Sequence, residues 1–108
     1  MLLDAGDSDG ASSRAYYAAF DIARAALIAA HSPVPTEVAK THAGLISAFS
    51  LHFVKSGHIS ADLGHFLNKA HQVRLVADYK GDPVEFEIAK EVVEQAARFV
   101  EEITAKLL

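Results

Sequence analysis

The chain has no cysteine among its 108 residues. That excludes a disulfide framework, a thiolate metal site and a cysteine nucleophile, and it suits a reducing compartment. Long apolar runs are missing as well, since no stretch approaches the roughly 18 uninterrupted apolar residues of a membrane span. The opening MLLDAGDSDG has neither the basic stretch nor the apolar run of a signal peptide. These absences predict a cytoplasmic protein with no membrane segment. G-x-S-x-G, P-loop, G-x-G-x-x-G and HExxH patterns are all absent, and no two histidines stand at i, i+4. A ferritin-like carboxylate pair with ExxH is also missing. Neither metal nor cofactor is therefore expected. There is no repeat, no low-complexity tract and no alternation of period two, so strands are not expected either.

Half of the residues are apolar and under a quarter charged, which is globular composition rather than the signature of disorder. The length suits one domain over residues 1–108, burying roughly two-thirds of its unfolded surface. The apolar residues recur at helical spacing, and the punctuation predicts four main helices. The first is expected to be capped by Ser12 or Ser13 and to reach about Ala30, with Tyr16, Phe20, Ala23, Leu27 and Ile28 on its stripe. Thr36 is expected to cap a second ending near Lys55, closed by Ser56-Gly57, with Val38, Leu45, Ile46, Phe49 and Phe53 inward. Ser60 opens a third, bearing Leu63, Phe66, Leu67, Ala70, Val73 and Ala77. Asp82 as cap, Pro83 at the first helical position and Glu85 as reciprocal partner start the fourth. Short connections favour antiparallel neighbours, which makes the fold class all-α, an up-down helical bundle.

The net charge of −4 is unevenly spread. Seven carboxylates between Asp82 and Glu102 face only Lys90 and Arg98, so the last helix carries the deficit on a solvated outer face. All six histidines fall between Gly10 and Gly81, a mildly basic body well short of the charge of a dedicated nucleic-acid binder.

The informative residues are polar ones where the helical period expects a hydrophobe: Arg24 on the first stripe, His42 and His52 on the second, Arg74 on the third. A guanidinium facing a core needs a counter-charge or an exit to solvent, because an unpaired buried charge costs about 3–5 kcal/mol. Asp78 follows Arg74 by four residues, so the two can pair on one face. That pair admits two readings, an intrahelical salt bridge at the bundle rim or an anion site formed by Arg74, Asp78, Tyr79 and His71. Guanidinium is the natural bidentate ligand of phosphate. Arg24 is expected to bond a carbonyl or carboxylate on a neighbouring helix. His42 is expected to be a core histidine held in one tautomer by a backbone bond. Tyr16 and Tyr17 are read as core aromatics, with base stacking as the alternative.

SSRAYYAAFDIARAALI near the start, then KTHAGLISAF leading to RLVADY, resemble small bacterial and archaeal HEPN-domain proteins. That helical family is often encoded beside minimal nucleotidyltransferases in toxin–antitoxin-like pairs. The likeness spans almost the whole chain. It implies a helical bundle that dimerises, binds RNA or nucleotide, and in some members cleaves RNA. The family's nuclease motif is an arginine followed four to six residues later by a histidine. Arg74 matches the arginine, but Tyr79, Lys80 and Gly81 stand where the histidine belongs, and no histidine follows His71. The expectation is thus a binding protein without the usual nuclease activity, a partner of RNA, nucleotide or a nucleotidyltransferase. A metal-independent ribonuclease using Arg74 with His42 or His71 is one alternative, and a structural dimerisation module is another. Relatives of this type carry a long helix ahead of the segment LLDAGDSDGASSRAYY. This chain begins at what would be that helix's last turn, and the lack of the family's first long helix would leave an apolar groove beside the YYAAF helix. The expectation is a homodimer through a twofold interface or helix exchange, or else a longer native product.

Overall fold

The computed structural model describes residues 8–30, 40–81 and 84–108, with side chains from Gly10 onward in the first segment. Four α-helices occupy them: α1 (Ser8–Ala29), α2 (His42–Phe49), α3 (Ala61–Lys80) and α4 (Phe86–Leu107). Helix α2 runs directly into a π-helical turn, Ser50–Val54, closed by an N–H of Lys55 that donates to Ser50 O, five residues back. No strand occurs among the described residues. The architecture is the expected all-α bundle.

Helix α1 lies against all three others and packs most extensively along α4. Ala19, Ala23 and Ala26 are fully buried, and their small side chains let the neighbours approach closely while Tyr16, Phe20 and Leu27 fill the space between. Two expectations are corrected here. The helix already contains Ser8, so Ser12 and Ser13 lie inside it and cap nothing. Ile28 is 69% exposed, because one step of about 100° past Leu27 carries it off the buried face.

The expected second helix is not continuous, because Lys40 and Thr41 are not helical. Residues 31–39, with Ser32-Pro33-Val34-Pro35, Thr36 and Val38, lie outside the described residues. Lys40 and Thr41 form a turn, and Thr41 is the cap of α2, its hydroxyl accepting from Gly44 N at 2.9 Å. Leu45, Phe49 and Phe53 point inward, and His52 is half-buried with its ring edge-on to Phe53. Gly57 ends the segment at φ 85°, a conformation that other residues rarely adopt, and its N–H donates to Val54 O.

Ser60 caps α3 as expected, accepting from Leu63 N at 3.4 Å, and Gly81 closes it in the left-handed region with its N–H on Ala77 O. Gly64 makes a close approach possible: a Cβ there would stand 2.5 Å from Cγ2 of Val54. Helices α3 and α4 are antiparallel, since Phe66 meets Phe99 with ring centroids 5.5 Å apart and Lys69, further along, pairs with Glu91. Phe99 also packs on Phe49 at 5.6 Å, joining α2, α3 and α4 in one core. The expected α4 cap is corrected. Asp82 and Pro83 lie outside the described residues, and the helix begins only at Phe86, with Glu85 as a cap that makes no side-chain bond. Val84, before it, is buried. The rest of α4 follows its pattern, with Val92, Ala96, Phe99 and Ile103 buried and Glu87, Glu91, Glu94, Arg98 and Glu101 exposed. None of the described helices is long and apolar enough to cross a membrane.

Candidate functional site

Side chains from α1, α2 and α3 converge on His42. As the first residue of α2, it is placed by the Thr41 cap with its ring turned toward α1. There Tyr16 OH lies 2.8 Å from His42 Nδ1, across 26 residues of sequence. The Phe20 ring, one turn along α1, is centred 4.6 Å from the imidazole, and Tyr17 stands edge-on at 6.0 Å. Helix α3 contributes His71, which lies nearly parallel to the Tyr16 ring at 6.0 Å and 5.4 Å from His42. Tyr16 is buried at 1% exposure whereas Tyr17 is half exposed, so the cluster has a sealed floor and an open outer wall.

The environment shifts two of these groups. Burial, and secondarily the neighbouring Tyr17, push the Tyr16 phenol up to about 12. Burial, then the proximity of His42, lower the His71 imidazole, which favours its neutral form. Both shifts favour the uncharged forms of the two groups flanking His42.

Arg74 sits on the next turn of α3 after His71. Its Nη2 donates to Asp78 Oδ1 at 2.9 Å, with the arginine side chain 17% exposed and the aspartate 67%. The expected i, i+4 pair is thus formed, from a mostly covered guanidinium to a solvated carboxylate. Tyr79 is not part of the assembly, being 92% exposed. Arg24 corrects its expectation, because its guanidinium carbon lies 4.7 Å from the centroid of its own helix's Phe20 and a ring, not a carbonyl or carboxylate, is its partner. His42 corrects a second, since its partner is a side-chain hydroxyl and not the backbone. Of the anticipated groups, then, His71, His42 and Tyr17 come together, Arg74 and Asp78 adjoin them along α3, Arg24 touches only the Phe20 edge of the cluster, and Tyr79 stands apart. Among the described residues no three His, Asp or Glu side chains are grouped to hold a metal ion.

Tyr16 is the residue that helical periodicity misses. On a stripe it reads as one more aromatic, and only its hydroxyl distinguishes it from Phe20. A buried phenol needs a polar partner, so a polar residue on a neighbouring apolar stripe was the available signal.

The chemistry assembled here is a guanidinium, two imidazoles and the half-exposed Tyr17 ring on adjoining helices.

The HEPN domain profile matches residues 1–107. The chain is 37% identical over 96 residues to "Putative toxin MJ0605" of Methanocaldococcus jannaschii, covering 88% of this chain and 67% of that one. It is 32% identical over 103 residues to the UPF0332 protein glr0978 of Gloeobacter violaceus, covering 94% and 78%. A UPF0332 protein of Thermotoga maritima is 35% identical over 105 residues, covering 95% and 75%. No solved structure matches the chain. With the profile spanning all but its last residue, and an all-helical bundle among the described residues, the chain belongs to the HEPN family.

Proposed function

We propose that this chain is a toxin-type HEPN protein of the cytoplasm that binds RNA or a nucleotide through its phosphate and works with a nucleotidyltransferase partner. The observation that carries the reading is the meeting of His42 and His71 one helical turn from Arg74. Arg74 is the anion ligand in this scheme, Asp78 orients it, and the imidazoles supply further hydrogen bonds. Tyr17, half exposed beside His42, stacks on a base in this scheme. The kinship with a protein named as a toxin supports the toxin-type assignment. The chain acts as a homodimer in this reading. Leu75, Val76, Tyr79, Phe86 and Ile88, exposed around the α3–α4 turn, and Ile28 on α1 are the apolar surface a subunit interface would cover.

Light scattering with a salt series of single-stranded RNA titrations, on wild type and Arg74→Ala, tests it. A dimer that binds RNA in a salt-dependent way, and loses binding but not mass in the variant, is the expected result. If neither protein binds RNA and the variant only dissociates or unfolds, Arg74 is structural and the reading fails.

A second reading is a metal-independent ribonuclease. What favours it is that His71 is held toward its neutral, proton-accepting form beside a second imidazole. The base would then come from α3 or α2 and not from the position after Arg74. Cleavage of RNA by wild type in the presence of a chelator, lost in His71→Gln, is its signature. Binding without cleavage rejects it.

A further inference from the structure

The contact between Tyr16 and His42 determines where a proton sits. A neutral imidazole carries one N–H and one lone pair, and its neighbours decide which nitrogen has which. Tyr16 is 1% exposed and its hydroxyl lies 2.8 Å from Nδ1. With its ionisation pushed up to about 12, this phenol keeps its proton under all conditions in which imidazoles exchange theirs. If Nδ1 carried the imidazole proton, it would donate to the phenol oxygen, and the phenol's own proton would be buried with nothing to receive it. Leaving a buried donor unpaired is unfavourable, so the phenol donates and Nδ1 accepts. The proton of neutral His42 then resides on Nε2, on the opposite edge of the ring. Tyr16, Phe20 and Tyr17 surround the imidazole with centroids 5.3, 4.6 and 6.0 Å away, which disfavours a ring flip. His42 is half-buried, and among the described residues Nε2 has no hydrogen-bond partner.

We infer that Tyr16 is a positioning residue which locks His42 as the Nε2–H tautomer, so that His42 offers a hydrogen-bond donor to a phosphate oxygen of the ligand. His71, 5.4 Å away, is left as the imidazole whose lone pair no described residue engages. The inference takes its ligand, RNA or nucleotide phosphate, from the proposed function; the tautomer itself does not depend on that reading.

Long-range proton–nitrogen NMR spectra of the labelled protein separate the two nitrogens of each ring. Wild-type His42 is expected to show a protonated Nε2 and a lone-pair Nδ1. In Tyr16→Phe, which preserves the ring and its volume, the tautomers are expected to mix and both nitrogen shifts to move together toward their average. A protonated Nδ1 in the wild type, or a Tyr16→Phe spectrum unchanged at His42, overturns the lock. The donor role is tested without Tyr16, using inorganic phosphate and a single-stranded RNA oligonucleotide as probes. His42→Gln places an amide nitrogen near the Nε2 position and should keep RNA affinity within about threefold, whereas His42→Asn reaches only the Nδ1 position and should lose about tenfold or more. Equal losses in both variants, or none in either, overturn the donor role. A wild type that binds neither probe sinks both the donor role and the proposed function, while a locked tautomer with no response to Arg74→Ala sinks only the latter.

Discussion

Two ring clusters hold this bundle together, and they differ in what the rings carry. Phe49, Phe53, Phe66 and Phe99 join α2, α3 and α4 through carbon alone. Tyr16, Tyr17, His42 and His71 join α1, α2 and α3 at similar centroid separations, but with a hydroxyl bonded to a ring nitrogen at the centre. The first cluster is tolerant of how its members rotate, because dispersion and water exclusion have little direction. The second is directional, and its protons must be in the right places. Stability should reside mainly in the first and ligand chemistry in the second.

Phe99→Ala is the most direct way to break the carbon cluster. Phe99 is fully buried between Phe49 and Phe66, and its loss should cost about 3–5 kcal/mol in denaturant-induced unfolding. Tyr16→Phe should cost clearly less, and the reverse order would refute the division of labour. Next in size is Gly64→Ala, where the new methyl group meets the stiff side chain of Val54. Overpacking of about 1–3 kcal/mol should outweigh the roughly 1 kcal/mol that alanine adds to a helix, and Val54→Ala in the same chain should recover it. Ser12→Ala works in the other direction. The Ser12 hydroxyl is buried with no hydrogen-bond partner, so replacing it should raise stability by about 1 kcal/mol, visible as a higher unfolding midpoint.

The smallest effect at neutral pH, and the one that best separates the clusters, is the pH profile of stability. Tyr16 has a folded value raised from 10.0 to about 12, so its contribution is complete below pH 10 and is lost as pH rises from there to about 12. His71 is lowered from 6.5, so the folded state binds its proton less readily than the unfolded chain, and stability falls as pH drops below 6.5. Tyr16→Phe should flatten the alkaline limb and His71→Gln the acid limb, as read from chemical denaturation at each pH. Phe99→Ala should lower the whole curve without changing either slope.

The same contrast explains what could be read from the sequence. The buried face of α4, though not its start, was legible, because Val92, Ala96, Phe99 and Ile103 against a row of glutamates form a pattern that needs no tertiary information. Ser60 and Gly81 marked α3 because a cap and a left-handed closure are local chemistry. The Thr41 cap of α2 was not legible, because its hydroxyl reaches Gly44 N only where the chain turns at Lys40 and Thr41. In the candidate site, the Arg74–Asp78 pair was visible as an i, i+4 spacing, and His42 was visible as a polar intruder on an apolar stripe. Its meeting with Tyr16 and His71 was not. Those three residues lie on different helices, and nothing in a periodicity reveals which faces will be turned toward each other.

The π-helical turn has a consequence in the language of insertions and deletions. A π turn holds one residue more than the α turn it interrupts, and at Ser50–Val54 the i, i+5 bond from Lys55 to Ser50 accommodates the surplus. Leu51 is 61% exposed within it and contributes nothing to the core. Removing it would let the backbone revert to α-helical bonding while Phe49 and Phe53 move from i, i+4 to i, i+3 and keep to one face. Among the described helices this is where the gene can shed a codon without opening the fold. A length difference of one residue between relatives is expected to map here before it maps to any loop near His42.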